Sequence, residues 1–181
     1  MSKKILITGG AASGKSRWAA THLAACDYVL YLCANDEVDP DTRRRIDFGN
    51  QQNGVEWDIV TGITESPSEN FFDHKFVIFD ALSTYTKRMI DTECGDEVEI
   101  DDEKKKAIEK KIINDVTEMF DRIDEIDGSI IIITLETGFS VTPENPRLAL
   151  YRQILGAVNQ RIANMSNEVY FSASGIQFKI K

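Results

Sequence analysis

Residues Gly9 to Ser16 read G-G-A-A-S-G-K-S and satisfy the spacing G-x-x-x-x-G-K-[ST] of a phosphate-binding P-loop. The chemistry this spacing serves is the holding of a nucleoside triphosphate, ATP or GTP. Gly9, Gly10 and Gly14 let the backbone bend, so that N–H groups of Gly10, Ala11, Ala12, Ser13, Gly14, Lys15 and Ser16 converge on phosphate oxygens where a helix starts. Lys15 is expected to reach the β- and γ-phosphates, and the Ser16 hydroxyl to ligate Mg²⁺. Such a site also needs a carboxylate at the end of a neighbouring strand, and "FVIFD" supplies Asp80 there. Lys15 and Asp80 are therefore the candidate catalytic residues, and Ser16 and Asp80 the candidate metal ligands.

A P-loop must lie between a strand and a helix, and the pattern around it provides both. Strands are predicted at Lys4 to Thr8, Tyr28 to Cys33, Trp57 to Thr61, Phe76 to Asp80, Ser129 to Leu135 and Glu168 to Ala173, with Ile176 to Ile180 returning through Ser174-Gly175 as a C-terminal hairpin. Runs such as "FVIF" and "IIII" are apolar without alternation, as in a sheet covered on both faces. Helices are predicted at Lys15 to Ala25, Pro40 to Gln52, Ala81 to Asp91, Asp102 to Ile126 and Pro146 to Met165. In the fourth, Ile108, Ile112, Ile113, Val116, Met119, Phe120 and Ile123 recur at helical spacing. The alternation predicts an α/β fold with a mostly parallel sheet flanked by helices.

The 181 residues, 42% hydrophobic and 28% charged, fit one domain over 1–181. The apolar runs fall far short of the roughly 20 residues of a membrane helix, and Met1 to Lys4 lead directly into the nucleotide motif. The expectation is a cytoplasmic protein with no membrane span. A net charge of -9 excludes a general nucleic-acid binder, because phosphate backbones are held by clustered Lys and Arg. Three cysteines without C-x-x-C spacing, Cys26, Cys33 and Cys94, suggest neither a disulfide framework nor a zinc site. The stretch Asp91 to Glu103 carries eight acids but lacks the Asp/Asn and Gly spacing of a calcium loop, so it reads as a solvated loop.

The P-loop alone leaves kinase, switch and ATP-driven machine open. The chain contains no Asn-Lys pair, so the guanine-reading N-K-x-D motif of switch GTPases is absent, and the length suits a small-molecule kinase.

Several further segments narrow the choice. They are E-x-G followed by P-E-N, at Glu136, Gly138 and Pro143 to Asn145; V-N-Q-R at Val158 to Arg161; and the ending S-G-I-x-x-K-I-K. With "ILITGGAASGKSRWA" and "VLYLCAND", they make the chain resemble, nearly end to end, the bifunctional adenosylcobinamide kinase/adenosylcobinamide-phosphate guanylyltransferase family of cobalamin biosynthesis. The resemblance implies a RecA-like P-loop fold, a homotrimer and two reactions. A nucleoside triphosphate phosphorylates the aminopropanol hydroxyl of adenosylcobinamide, and GTP then gives its GMP to that phosphate through a guanylylated histidine. The partners implied are a nucleoside triphosphate and a corrinoid.

The chain departs from this pattern at the histidine. Anchoring "RRRIDFGNQQNGVEWDIV" on Arg45-Ile46 and Trp57 puts Gly49 at the nucleophile's place and Phe48 before it. A nucleotidyl intermediate needs a neutral, basic nucleophile near pH 7, and glycine has no side chain to offer. Thr61 stands where the family has a Glu, and Asp80 replaces a family Glu while keeping a carboxylate. The two histidines, His22 and His74, match no motif position. Six residues beyond Ser16, His22 should lie about 9 Å further along the helix.

Glu136 and Thr137 follow the "IIIITL" strand at the edge where parallel sheets bind ligands, and are candidates for substrate or phosphate contact. Pro143 to Pro146 suit a helix start. Arg147, Arg152 and Arg161 read as surface salt-bridging residues, with a phosphate role for one of them as the alternative, and "DPDTRRR" as a solvated face with an arginine available to the corrinoid or nucleotide. The general base is open between Asp80 and Glu136. The reading is a kinase phosphorylating adenosylcobinamide, with GTP-dependent guanylyl transfer deprived of its nucleophile. A non-catalytic nucleotide-binding paralogue and a small-molecule kinase with another acceptor are the competing readings.

Overall fold

Apolar residues of successive strands alternate between two faces of one sheet, and this alternation organises the molecule. The computed structural model describes all residues except 1, 72, 98, 99, 140 and 142. In chain order the elements are β1 (Lys3–Gly9), α1 (Lys15–His22), β2 (Val29–Cys33), α2 (Pro40–Asn53), β3 (Trp57–Val60), β4 (Phe76–Asp80), α3 (Leu82–Cys94), α4 (Asp102–Glu125), β5 (Ser129–Ile133), α5 (Pro146–Met165), β6 (Glu168–Ala173) and β7 (Ile176–Lys179). The seven strands order as β3-β2-β4-β5-β1-β6-β7. All neighbours pair parallel except β6 with β7, the C-terminal hairpin.

Leu6, Leu30, Leu32, Val77, Phe79, Ile130 and Ile132 point to one face and pack on α3, α4 and α5. Ile5, Ile7, Val29, Tyr31, Ile78, Ile131 and Ile133 point to the other, against Ala19, Ala20 and Leu23 of the α1 segment and Ile46 of α2. Burial on both faces is why the strands read as continuous apolar runs. On α4 the stripe Ile108, Ile112, Val116, Met119, Phe120 and Ile123 is buried, whereas Ile113 is only partly covered. Asp101 caps that helix by accepting from Lys104 N at 2.7 Å.

Element ends differ from the sequence expectation for local reasons. Helix α1 stops at His22, where Ala24 N turns back to Thr21 O and Cys26 N to Leu23 O. Strand β2 begins at Val29 because Tyr28 is left-handed, with φ 52°. Strand β5 ends at Ile133, and Asn159 of α5 takes the Leu135 carbonyl at 2.9 Å. A short 3-10 turn at Pro67–Asn70 was not anticipated. Among the described residues no helix is long and apolar enough to cross a membrane, and Cys26, Cys33 and Cys94 are free thiols. In the acidic stretch Glu93 pairs with Lys111 and Glu97 with Lys104; residues 98 and 99 lie outside the described set.

Candidate active site

The chain leaves β1 toward α1 on one face of the sheet and leaves β4 toward α3 on the other. A crevice therefore opens at the carboxyl ends of the strands, where parallel sheets hold ligands. The loop from Gly9 to Gly14 fills one side of it, with Gly14 as the N-cap of α1. Gly9 has φ 147°, and a Cβ there would lie 2.2 Å from the Ser172 carbonyl oxygen, so only glycine fits. Gly10 has open space and no positive φ; the left-handed turn is taken by Gly14 (φ 95°) and by Ala12 (φ 54°). The bend that the sequence assigned to Gly10 thus falls two residues later.

The C-terminal hairpin secures this loop. Ser13 O accepts from Ser172 Oγ at 2.7 Å and from Gly175 N at 3.0 Å, and Gln177 Nε2 donates to Ser172 Oγ at 3.1 Å. From the other flank Glu136 N donates to Gly9 O at 3.1 Å. Lys15 is buried, and its Nζ donates to the carbonyl oxygens of Gly9 (3.0 Å) and Gly10 (2.6 Å). Burial lowers its pKa from the usual lysine range, with the charge of Asp80 opposing.

Asp80 ends β4, in register with Cys33 on β2 and Ile133 on β5. Burial raises its pKa, while hydrogen bonds from the Tyr31 and Ser16 hydroxyls and the charge of Lys15 favour the carboxylate. Tyr31 is fully buried and donates its phenol to Asp80 Oδ2; burial and then Asp80's charge push that phenol far above its ordinary range. Lys15, Ser16 and Asp80 share the wall of a cavity of 890 Å³. The oxygens of Ser16 and Asp80, on the same cavity wall, suit a hard cation that takes its remaining ligands from phosphate and water, as Mg²⁺ does. Among the described residues no cluster of three or more His, Cys, Asp or Glu offers a different metal cage.

The remaining candidates divide. Glu136 and Thr137 follow β5 beside the loop but are not among the residues lining the cavity, and Glu136 Oε1 accepts from Gly138 N at 2.6 Å. Gly49 sits on α2, facing a neighbouring pocket of 360 Å³ between α1 and α2, and a Cβ there would meet nothing within 4 Å. Phe48 is exposed, and Thr61 is exposed just past β3. Neither histidine lines the cavity: the His22 ring stacks on Trp18 at 4.7 Å, and His74 Nε2 pairs with Asp58 at 2.7 Å. Arg147 and Arg152 donate to the backbone carbonyls of Gly95 and Gly138.

Sequence reasoning missed several cavity residues. Tyr31 was concealed in the apolar run "VLYLC", and Gly175 and Gln177 reach the cavity wall only because the sheet brings the hairpin there, with Ser172 behind them bonded to the loop. Asp39 also lines the cavity, its Oδ1 capping α2 by accepting from Asp41 N and Thr42 N. Pro40 at the first helical position was the available signal for that cap.

Known proteins resemble the chain along nearly its whole length. The chain is 28% identical over 180 residues to the bifunctional adenosylcobalamin biosynthesis protein CobU of Escherichia coli (strain K12), spanning 98% of this chain and 99% of that one. It is 26% identical to the protein of the same description from Salmonella typhimurium, spanning 98% and 99%, and 24% identical to CobP of Pseudomonas aeruginosa, spanning 97% and 96%. The fold is shared with an ATPase from the type III secretion system of pathogenic bacteria (TM-score 0.58, 11% identity, 93% of this chain and 50% of that one). It is also shared with the ATP synthase subunit NeqB of Nanoarcheaum equitans (TM-score 0.53, 12% identity, 93% and 45%). The chain spans about half the length of these two proteins, and the likeness shows the α/β fold. A family model described as cobinamide kinase / cobinamide phosphate guanyltransferase matches residues 5–180, and the chain belongs to that family.

Proposed function

We propose that the protein is a kinase that transfers the γ-phosphoryl group of a nucleoside triphosphate to the hydroxyl of adenosylcobinamide. The observation that carries this reading is the convergence of Lys15, Ser16 and Asp80 on one cavity wall in a member of the cobinamide kinase family. In the transfer, the acceptor oxygen forms a bond to phosphorus, the bond from the γ-phosphorus to the β–γ bridging oxygen breaks to release nucleoside diphosphate, and the hydroxyl proton passes to the general base. Backbone N–H groups from Gly10 to Ser16 and the Lys15 ammonium stabilise charge on the moving group, so that positioning and electrostatics supply most of the rate. Nucleotide phosphates draw Lys15 Nζ away from the Gly9 and Gly10 carbonyls it now holds. Mg²⁺ bound at Ser16 and Asp80 would neutralise phosphate charge. Of the two carboxylates open as general base, Asp80 lines the cavity and Glu136 does not, which favours Asp80.

Guanylyl transfer through position 49 has no nucleophile in this chain, since Gly49 stands where the family resemblance places the histidine. We propose that the protein works in the cytoplasm, and as a homotrimer, the assembly the resemblance implies. Ile176, Phe178 and Ile180, exposed at 61%, 53% and 64% at the β7 edge, are apolar surface that association would cover. Incubation with adenosylcobinamide, Mg²⁺, ATP and GTP, followed by mass spectrometry of the corrinoid, tests the function. A phosphate adduct absent with Lys15→Ala supports it, and unmodified corrinoid contradicts it.

A further inference from the structure

The triplet Arg43-Arg44-Arg45 is not uniform. Arg43 Nε pairs with Asp47 at 3.1 Å and Arg44 Nη2 with Asp41 at 2.7 Å, both within α2. Arg45 has no carboxylate partner among the described residues, and neither does Arg17, the residue after Ser16. Both line the 890 Å³ cavity at the P-loop and both also line the 360 Å³ pocket between α1 and α2. Among the described residues they are, apart from Lys15, the only cationic side chains on the cavity wall. The three acids of the described wall have their own partners: Asp39 caps α2, Asp41 holds Arg44 and Asp80 accepts from the Tyr31 phenol.

Two guanidiniums without a carboxylate partner among the described residues stand at the junction of two pockets in a chain of net charge -9. Guanidinium presents planar N–H donors that match a phosphate edge, and an unpaired pair of them favours a dianion. The pocket beyond supplies apolar surface from Ala24, Ile46, Phe48 and Trp57 together with the amides of Gln52 and Asn53. At Gly49 no side chain closes it.

We propose that Arg17 and Arg45 form a phosphomonoester subsite, separate from the P-loop, that holds the phosphate of the phosphorylated acceptor while its organic portion leans into the α1–α2 pocket. This rests on the kinase reading above, because a kinase with a hydroxyl acceptor must release such a phosphomonoester from the cavity these arginines line.

The test is calorimetric titration of inorganic phosphate, and separately of adenosylcobinamide phosphate, into protein saturated with Mg²⁺ and a non-hydrolysable ATP analogue. The expected result is one further binding event for each probe. It is weakened at least about tenfold by the double substitution Arg17→Gln/Arg45→Gln, since a hydrogen bond to a charged group is worth roughly that factor or more. Analogue affinity changes less than about threefold, and Arg43→Gln, which breaks only the Asp47 pair, leaves every affinity unchanged. Absence of any further event with either probe, or an unchanged event in the double variant, overturns the subsite. A tenfold loss of analogue affinity in the double variant also overturns it and puts the arginines on the triphosphate. Arginine-dependent binding of inorganic phosphate without binding of adenosylcobinamide phosphate upholds the anion subsite and removes cobinamide as the acceptor.

Discussion

The Ser172 hydroxyl donates to the Ser13 carbonyl oxygen at 2.7 Å, joining the last parallel strand to the middle of the phosphate loop across 159 residues of sequence. Ser172 is fully buried, and its own oxygen accepts from Gln177 Nε2, so the chain of hydrogen bonds runs from the hairpin into the loop. Ser172→Ala should weaken nucleotide binding by roughly 2- to 12-fold, the worth of one intramolecular hydrogen bond. Trp18 lines the same cavity, so its fluorescence on titration with ATP reads this out. Unchanged affinity would show that the Gly175 N contact alone fixes the loop.

Gly9 and Gly10 make a contrasting pair. Gly9→Ala drives a Cβ into the Ser172 carbonyl at 2.2 Å and should cost roughly 2–4 kcal/mol, whereas Gly10→Ala meets open space and should stay within about 0.5 kcal/mol. Urea unfolding of the two variants measures the difference, and equal stabilities would contradict the close approach of loop and hairpin.

Asp80→Asn should raise stability while removing activity. Burial raises the Asp80 pKa above its unfolded value, so the folded state keeps a proton that the unfolded chain has already lost. The stability this contributes is present at low pH and is lost as pH rises through the folded pKa. Above the ordinary carboxylate range the buried acid is therefore a cost, which Asn removes. The expected outcome is a higher Tm at pH 7, no gain at pH 3, and a fall in kcat of about 10²-fold or more. A lower Tm at pH 7 would show that the Tyr31 and Ser16 hydrogen bonds outweigh burial.

Glu168 titrates in the opposite sense. Burial alone would raise its pKa, but hydrogen bonds from Tyr170, Lys3 and Lys179 bring it down to about 2. Its stabilising contribution, about 1 kcal/mol after solvent screening, is present above the ordinary carboxylate range and lost as pH falls toward 2. Glu168→Gln should flatten that acid limb of the Tm profile and leave the profile above pH 6 parallel to the parent.

Much of this arrangement was legible in the sequence because it is local. The P-loop is eight consecutive residues, Asp80 ends an apolar run, and the strand runs are long enough to show a sheet buried on both faces. What was not legible depends on long-range pairing. Tyr31 reads as core until β2 and β4 pair and bring its phenol to Asp80. Ser172 and Gln177 read as hairpin residues until the sheet places them under the loop. The roles of the three consecutive arginines separate only when α1 and α2 pack and leave Arg45 facing the cavity while its neighbours pair along their own helix.

Gly49→His tests the missing nucleophile. The position is helical and faces open space, so the side chain should fit and stabilise α2 by a few tenths of a kcal/mol, about the helix-propensity difference from glycine. With GTP and Mg²⁺, the variant should gain an acid-labile GMP adduct in intact-protein mass spectra that the parent lacks. An adduct on the parent would reveal another nucleophile.

The most direct measurement of the central claim is the mass of the corrinoid after incubation of the parent protein and Lys15→Ala with adenosylcobinamide, Mg²⁺, ATP and GTP. The account predicts adenosylcobinamide phosphate with the parent, none with Lys15→Ala, and no adenosylcobinamide-GDP with either. Unmodified corrinoid with the parent would contradict the kinase, and adenosylcobinamide-GDP would contradict the loss of guanylyl transfer at Gly49.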